Sequence, residues 1–157
     1  MAQGSFSAKV SAFVAETKPR MVAARNIAVE KAVEFMQTPV AEGGNMPVKD
    51  GFLRSSIVFT TGGDLPQTRQ KPAEGVPYRY NADGLSLVLA TAALDDQIVA
   101  VYTAAYAKVA NYGGENRAAR QFVGLTAQNW PTFVSRSSSE VQRRVILNRR
   151  ADRRAGG

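Results

Sequence analysis

Side chains of the types that catalyse reactions or bind metals are scarce in this sequence. It contains no Cys and no His, the residues that supply most thiol nucleophiles, most transition-metal ligands and the side chain that titrates near neutral pH. The phosphate-binding pattern G-x-x-x-x-G-K-[ST], the dinucleotide pattern G-x-G-x-x-G and the serine-nucleophile patterns G-x-S-x-G and S-x-x-K are also missing. We therefore predict no catalytic residues, no metal, no cofactor and no enzymatic activity.

Asp95 and Asp96 come nearest to a pair of catalytic carboxylates. Acid–base pairs need two carboxyl groups that converge on one substrate, whereas adjacent residues in a hairpin point to different sides. Asp is also a preferred turn residue, because its side chain accepts hydrogen bonds from nearby backbone N–H groups. Turn formation is therefore the favoured interpretation, and catalysis is the alternative.

The net charge of +7 is concentrated near the end of the sequence, where residues 143–154 hold six Arg and one Asp. Arginines in such a cluster can neutralise phosphates, so a basic nucleic-acid-binding module is the alternative function. However, no aromatic residues alternate with these arginines, and no known nucleic-acid-binding signature is present. Residues 148–157 are interpreted as a basic, frayed tail.

Length and composition predict one globular domain over residues 1–157. Of the 157 residues, 45% are hydrophobic and 21% are charged, which is the balance of a folded protein with a single core. The longest nearly apolar runs are about half as long as a membrane-spanning helix requires. The first residues show no secretory signal pattern, so neither export nor a membrane partner is expected.

The elements that must position any functional residues begin with a helix. Apolar residues recur every three or four positions from Phe6 to Gln37, and Pro19 is expected to divide this helix and to lie in the first turn of its second part. A loop rich in Pro and Gly follows. Asp50 is expected to cap a short helical turn over residues 52–54.

Three strands are predicted next, over residues 55–61, 85–92 and 97–105, with a turn at 94–96. The fold class is therefore α+β, with a small antiparallel sheet of three or four strands packed against a long N-terminal and a long C-terminal helix. Side chains of residues 85–92 would point alternately to the two faces of the predicted strand, and both faces would be apolar. A sheet with two apolar faces needs cover on both, which is a hint of oligomerisation.

Residues 62–84 have little apolar periodicity and are predicted to form an extended loop or arm. Long loops of this kind either bind something or stay mobile. As a surface loop the segment would have no partner. As an arm it would become ordered by contact with a neighbouring subunit. The candidate interface residues are Arg69, Lys71, Tyr78, Arg79 and Tyr80.

The C-terminal part is predicted to be one kinked helix over residues 117–129 and 131–150. Pro131 is expected to bend it, and a capping box from Ser137 to Glu140 would restart it. We expect Trp130 to be a core anchor and not a platform for stacking nucleic-acid bases.

Two blocks of the sequence form short motifs that occur in the same order in a known protein family. The first block is a loop of the form Pro-Val-Asp-Thr-Gly-x-Leu-Arg-x-Ser followed by a hydrophobic residue. Here Pro47, Gly51, Leu53 and Arg54 match it, and Lys49-Asp50 replaces the usual Asp-Thr. Ser55 and Ser56 follow Arg54, and Ile57 ends the block.

The second block pairs Tyr-Ala with a later aromatic-Gly and then Arg-x-Phe. It corresponds here to Tyr106, Tyr112-Gly113, Arg120 and Phe122. Together the two blocks resemble a tail-component family of lambda-like siphophages, whose genes lie beside head and neck genes. Many members of that family carry Glu before the aromatic residue, where this chain has Asn111.

The resemblance implies a structural virion protein, a neck or tail-completion subunit that forms a ring between the head connector and the tail. Its implied partners are other copies of itself in a hexamer, the head-side connector, and the tail terminator or tube. DNA would pass through the lumen without sequence-specific binding. We expect assembly in the host cytoplasm and a final place in the virion. The glycines would permit turns, the apolar residues would fix the loop to the core, and Arg54 or Arg120 would pair with an acid across an interface.

Overall fold

The computed structural model describes residues 6–63, 65–70 and 75–155, which form an α+β fold with two long helices and a small antiparallel sheet. The elements in chain order are α1 (Phe6–Gln37), a 3₁₀ turn (Val40–Glu42), α2 (Phe52–Ser55), β1 (Ile57–Thr60), α3 (Asp83–Thr91), β2 (Val99–Tyr102), α4 (Ala107–Tyr112) and α5 (Phe122–Ala155). Both predicted long helices are confirmed.

Helix α1 is continuous for 32 residues and contains Pro19 in its interior. The prediction that Pro19 divides it is wrong. A proline removes one backbone N–H and therefore one helical hydrogen bond, but the intact turns on both sides maintain the helix. Alanines after the proline, such as Ala23 and Ala24, are strong helix formers.

The sheet consists of β1 and β2 in the described part of the chain, paired antiparallel with Ile57 opposite Tyr102 and Thr60 opposite Val99. Both strands lie inside predicted strands, although each is shorter than expected. The predicted third strand at residues 85–92 is wrong, because these residues belong to α3. The structure therefore does not confirm a sheet of three or four strands.

Burial along α3 follows helical spacing. Leu85 and Leu89 are each 5% exposed, whereas Leu87 is 66% exposed, so the alternation of Leu residues does not correspond to one buried face. The side-chain oxygen of Asn81 accepts a hydrogen bond from the backbone N–H of Asp83, which forms a turn just before the helix; the N-cap residue, Ala82, makes no side-chain cap hydrogen bond. A short apolar run fits both strand and helix periods, so periodicity alone does not distinguish the two here.

Side chains of α1 donate hydrogen bonds to backbone carbonyl oxygens at the C-terminal end of α3. Asn26 Nδ2 donates to the carbonyl oxygen of Leu89 at 3.0 Å, and Arg25 donates to the carbonyl oxygens of Ala92 and Ala93. These carbonyls have no partner within a helix. Because α3 packs against its own domain in this way, the argument for oligomerisation from a sheet with two apolar faces no longer holds.

Helix α5 begins at Phe122, five residues later than predicted, and continues through Pro131 to Ala155. The predicted restart by a capping box at Ser137 is wrong, because Ser137 is fully buried within an uninterrupted helix. Trp130 is 39% exposed and is not a core anchor. Phe133 occupies that role, with its ring centroid 5.7 Å from that of Phe35. Residues 148–155, predicted to fray, are helical in the structure, and their fraying in solution stays a prediction.

Helices α1 and α5 pack antiparallel over most of their length. Lys31 Nζ lies 3.3 Å from a carboxylate oxygen of Glu140, and Arg149 lies 2.6 Å from a carboxylate oxygen of Glu16. The main core forms at one end of this pair; its buried residues are Val33, Met36, Met46, Phe52, Leu53, Ile57, Leu85, Leu89, Ala104, Ala110 and Phe122. We call the other end, residues 6–24 and 141–155, the distal helix pair.

Candidate functional site

The first block that resembles the phage family, residues 47–57, is called the first resembling segment. It is built around a tight turn at Asp50 and Gly51. Asp50 Oδ1 accepts a hydrogen bond from the backbone N–H of Phe52 at 3.0 Å, so Asp50 contacts the first residue of α2, but the N-cap residue is Gly51, which makes no side-chain cap hydrogen bond. Gly51 has φ 86°, a left-handed conformation that favours glycine. A Cβ atom at Gly51 would lie 2.1 Å from the carbonyl oxygen of Tyr78, so only glycine fits.

Helix α2 is held in place by aromatic contacts. Phe52 and Leu53 are 2% and 3% exposed. The Phe52 ring meets the Tyr78 ring edge-on at a centroid distance of 5.2 Å and lies 6.2 Å from the Tyr106 ring. The guanidinium carbon of Arg69 lies 5.9 Å from the Phe52 ring centroid, within cation–π range. Phe52 therefore connects both resembling segments to the loop between them.

Hydrogen bonds around Thr103 join the same three parts of the chain. The backbone N–H and the hydroxyl of Thr103 both donate to the carbonyl oxygen of Ser56, at 3.0 and 2.8 Å. Arg69 Nε donates to Thr103 Oγ1 at 3.1 Å, and the backbone of Arg69 pairs with the residues flanking Ala104. Ser56 and Thr103 are both buried, so these bonds exclude water and fix the relative position of the segments.

The second resembling segment, residues 106–123, consists of α4, a turn and the start of α5. Gly113 has φ 85°, and a Cβ there would lie 3.0 Å from the carbonyl oxygen of Arg117. The backbones of Gly114 and Arg117 exchange hydrogen bonds of 2.9 and 3.1 Å. The turn therefore directs residues 117–120 back over α4.

Asn111 caps the last helix. Its side-chain Oδ1 accepts a hydrogen bond from the N–H of Val123 at 2.9 Å, and its backbone carbonyl accepts one from Gln121 at 2.8 Å. Asn111 is 3% exposed, so this amide replaces water at the first turn of α5. Asn111 supplies an uncharged oxygen acceptor at this position.

The two segments together line a pocket of about 500 Å³. Its lining residues are Pro47, Val48, Lys49, Asp50, Gly51, Leu53, Tyr106, Ala110, Arg117, Ala118 and Arg120. Three of these side chains are cationic and one is anionic, and most of the others are apolar. Such a pocket suits an apolar side chain that is accompanied by an acidic group.

Four of the nine residues singled out by resemblance lie outside the pocket lining. Phe122 is 1% exposed, with its ring centroid 5.3 Å from that of Tyr102. Ser55 donates to the carbonyl oxygen of Phe52 at 3.0 Å. Gly113 forms the turn described above. Arg54 lies with its guanidinium carbon 5.7 Å from the Tyr80 ring centroid, and its carbonyl oxygen accepts a hydrogen bond from Gln37.

The phenols beside Arg54 are held protonated. Burial raises the pKa of Tyr102 and of Tyr80, and the nearby Arg54 only partly opposes this effect. A phenol with a raised pKa is a poorer base and a poorer nucleophile at neutral pH. These tyrosines therefore serve packing in this arrangement.

Of the five candidate interface residues in the loop, three contact their own domain. Arg69 contacts Phe52 and Thr103, Tyr78 donates its backbone N–H to Asp50 at 2.8 Å, and Tyr80 lies against Arg54. Arg79 is exposed, and Lys71 lies outside the described residues. Contacts of this loop with a neighbouring subunit stay a prediction.

Asp95 and Asp96 lie in the connection between α3 and β2. Asp96 Oδ2 accepts a hydrogen bond from the N–H of Ala93 at 2.7 Å, as a turn carboxylate does. The described residues contain no group of three or more acidic side chains placed to hold a metal ion. No helix among them combines the length and the apolar character needed to cross a membrane.

Residues that sequence reasoning missed are the polar ones that connect the segments: Ser56, Thr103 and the capping role of Asn111. Their partners are distant in sequence, so no local pattern marks them. Comparison with known protein families, with curated proteins and with solved structures finds no match for this chain.

Proposed function

We propose that the chain is a structural protein of a tailed bacteriophage, a neck or tail-completion subunit whose copies form a ring between the head connector and the tail. One observation carries the proposal. The two segments that resemble the phage family, residues 47–57 and 106–123, lie against each other and supply the whole lining of one pocket. Segments that belong to one functional surface are expected to converge in this way.

The pocket supports a role in docking another protein chain. It is mostly apolar, and it carries Lys49, Arg117 and Arg120 against Asp50. Interfaces combine an apolar centre with charges that are complementary to those of the partner. A segment of a neighbouring protomer, or of a connector protein, that bears an apolar and an acidic side chain would suit this lining.

A ring requires two different surfaces on each subunit, because head-to-tail contacts close by rotation. The pocket would be one of these surfaces, and the loop around exposed Arg79 is a candidate for a second. The proposed ring has six copies, encloses passing DNA without reading its sequence, and performs no catalysis. It assembles in the host cytoplasm and stays in the virion.

The alternative function, a basic nucleic-acid-binding module, is favoured by one observation. Arg143, Arg150, Arg153 and Arg154 are exposed on α5 and make no ion pair with another described residue. Such a module would lose affinity steeply as salt concentration rises. A filter-binding series with duplex DNA measures this slope.

Lysine-reactive cross-linking of intact virions tests the proposal. Lys49 lies on the pocket, so its amine is positioned to report neighbours of this face. We expect cross-links from Lys49 to a neighbouring protomer or to head-connector or tail proteins, and their loss in Lys49→Arg, which keeps the charge. Absence of the chain from purified virions would contradict the proposal.

A further inference from the structure

The distal helix pair exposes an apolar groove between α1 and α5. The groove has a volume of about 510 Å³. Its apolar lining includes Phe13, Met21, Ala24, Val141, Val145 and Ile146. Phe13, Met21 and Ile146 are 67%, 51% and 52% exposed, so a large part of this apolar surface faces solvent.

The lining residues follow helical spacing on both sides of the groove. From Phe13 to Ala24 the groove extends for about 17 Å along α1, or about three helical turns. Two antiparallel helices with a shared apolar face form the seat on which a third helix packs in a bundle. The shape therefore fits a helix laid into the groove.

The distal helix pair also carries the whole net charge of the protein. Residues 6–24 and 141–155 contain nine basic and two acidic residues, a balance of +7 that equals the net charge of the full chain. Arg20 and Arg149 at the groove share one carboxylate, that of Glu16. In the described part of the protein, Lys9, Lys18, Arg143, Arg150, Arg153 and Arg154 form no ion pairs.

We propose that the distal groove receives an acidic amphipathic helix of another protein chain. Its apolar residues, three or four positions apart, would cover Met21 and Ile146, and its carboxylates would be attracted by the net charge of +7 on the distal helix pair, of which Arg20 and Arg149 line the groove. The proposal deepens the proposed function, on which it rests only for the premise that this chain binds other proteins. It names a site separate from the pocket at the resembling segments.

Other occupants fit less well. A second copy would bring another distal helix pair of charge +7 against the first, which is repulsive. Nucleic acid would neutralise the arginines but would leave the apolar floor at Phe13, Met21 and Val145 uncovered. An anionic lipid surface is flat on this scale and does not fill a groove between two helices.

The test uses the purified full chain and a labelled peptide of about 20 residues, with Leu at helical spacing and Glu on the flanking positions. Fluorescence anisotropy measures binding at low and high salt, and a peptide with Lys in place of Glu is the charge control. A double variant, Met21→Ser with Ile146→Ser, changes exposed groove side chains. Leu87→Ser, which changes an exposed apolar side chain on α3, away from the groove, is the control variant.

We expect the acidic peptide to bind the natural chain with a dissociation constant below about 100 µM. Its affinity for the double variant should be at least about tenfold lower, and its affinity for Leu87→Ser should not change. The Lys peptide should not bind. Failure of the acidic peptide to bind the natural chain would overturn the proposal. The proposal would also be overturned if duplex DNA or phosphatidylserine vesicles displaced the peptide and bound the double variant equally well. A dimer of the natural chain that the double variant abolishes would overturn it too.

Failure here is distinguishable from failure of the proposed function. A chain that ignores the peptide but cross-links through Lys49 to proteins of the head–tail joint would keep its proposed place in the virion and lose only the distal groove as a docking site. A chain that binds the peptide but is absent from virions would show the reverse.

Discussion

The carbonyl oxygen of Ser56 accepts two hydrogen bonds from Thr103, one from the backbone N–H at 3.0 Å and one from the hydroxyl at 2.8 Å. Ser56 lies at the end of the first resembling segment, and Thr103 lies just before the second. Because Arg69 Nε also donates to the Thr103 hydroxyl oxygen, one buried side chain joins two segments and the loop between them. The geometry of the pocket depends on this junction.

Replacing Thr103 by Val keeps the size of the side chain and removes its hydroxyl. We expect the free energy of unfolding to fall by about 1–2 kcal/mol, because Arg69 loses its acceptor and Ser56 loses one donor. Urea denaturation measures the change. Thr91→Val is the control: its hydroxyl bonds only within α3 and is exposed, so we expect less than about 0.5 kcal/mol. Equal effects of the two variants would contradict this role for Thr103.

Replacing Gly51 by Ala should destabilise the protein strongly and displace Tyr78. The new Cβ would meet the carbonyl oxygen of Tyr78 at 2.1 Å, in addition to the cost of about 1 kcal/mol for a left-handed non-glycine residue. Gly43→Ala is the matched control. Gly43 also has a left-handed φ, 87°, but no atom of the described residues lies within 4 Å of its added Cβ. We expect a midpoint of thermal unfolding clearly lower for Gly51→Ala than for Gly43→Ala; similar midpoints would argue against the close approach of Tyr78.

Asn111→Ala should weaken the start of α5. The N–H of Val123 would lose its acceptor in a partly buried setting, which costs about 1 kcal/mol. Amide hydrogen exchange at Val123 should become faster. In the control Asn129→Ala, the lost amide donates only to Leu125 in the same helix, and exchange at Val123 should not change. Unchanged exchange in Asn111→Ala would rule out the cap.

The antiparallel pairing of α1 and α5 should weaken in acid. The hydrogen bond from Lys31 lowers the pKa of Glu140 below its ordinary value of 4.5, and the hydrogen bond from Arg149 lowers that of Glu16. The unfolded chain therefore binds these protons more readily than the folded chain, so the stabilisation is present above the unfolded pKa and is lost as pH falls through the folded pKa.

Glu140→Gln measures this contribution. Stability of the natural chain and of Glu140→Gln should differ at about pH 6 and converge at about pH 3, as followed by chemical denaturation across that range. Glu115→Gln is the control, because exposed Glu115 makes no ion pair with another described residue. A constant difference across the range would show that Lys31 and Arg144 do not act through the charge of Glu140.

The long helices could be predicted from the sequence because a 3.6-residue period sustained over thirty positions has no competing interpretation. The run from Leu85 to Thr91 is too short for that, and alternating Leu residues fit a strand as well as a helix. Only the burial seen in the fold separates the two: Leu85 and Leu89 are buried and Leu87 is exposed, as in a helix. Trp130 was misplaced for a similar reason, since spacing alone did not show that Phe133 faces α1.

The candidate site was predictable where the chemistry is local. Asp50 is predicted to interact with the short helical turn that follows it, and its carboxylate accepts a hydrogen bond from the N–H of Phe52, although Gly51 is the N-cap residue. The junctions at Ser56, Thr103 and Asn111 were not predictable, because each hydrogen bond joins residues that are brought together only by the fold. The convergence of the two resembling segments on one pocket likewise depends on the pairing of β1 with β2.

Electron microscopy of particles made with and without this chain tests the central claim most directly. Infected host cells in which the gene is interrupted early should contain DNA-filled heads and separate tails, and supplying the chain from a plasmid should restore joined virions. Joined, infectious particles in its complete absence would contradict a role for the chain at the junction of head and tail.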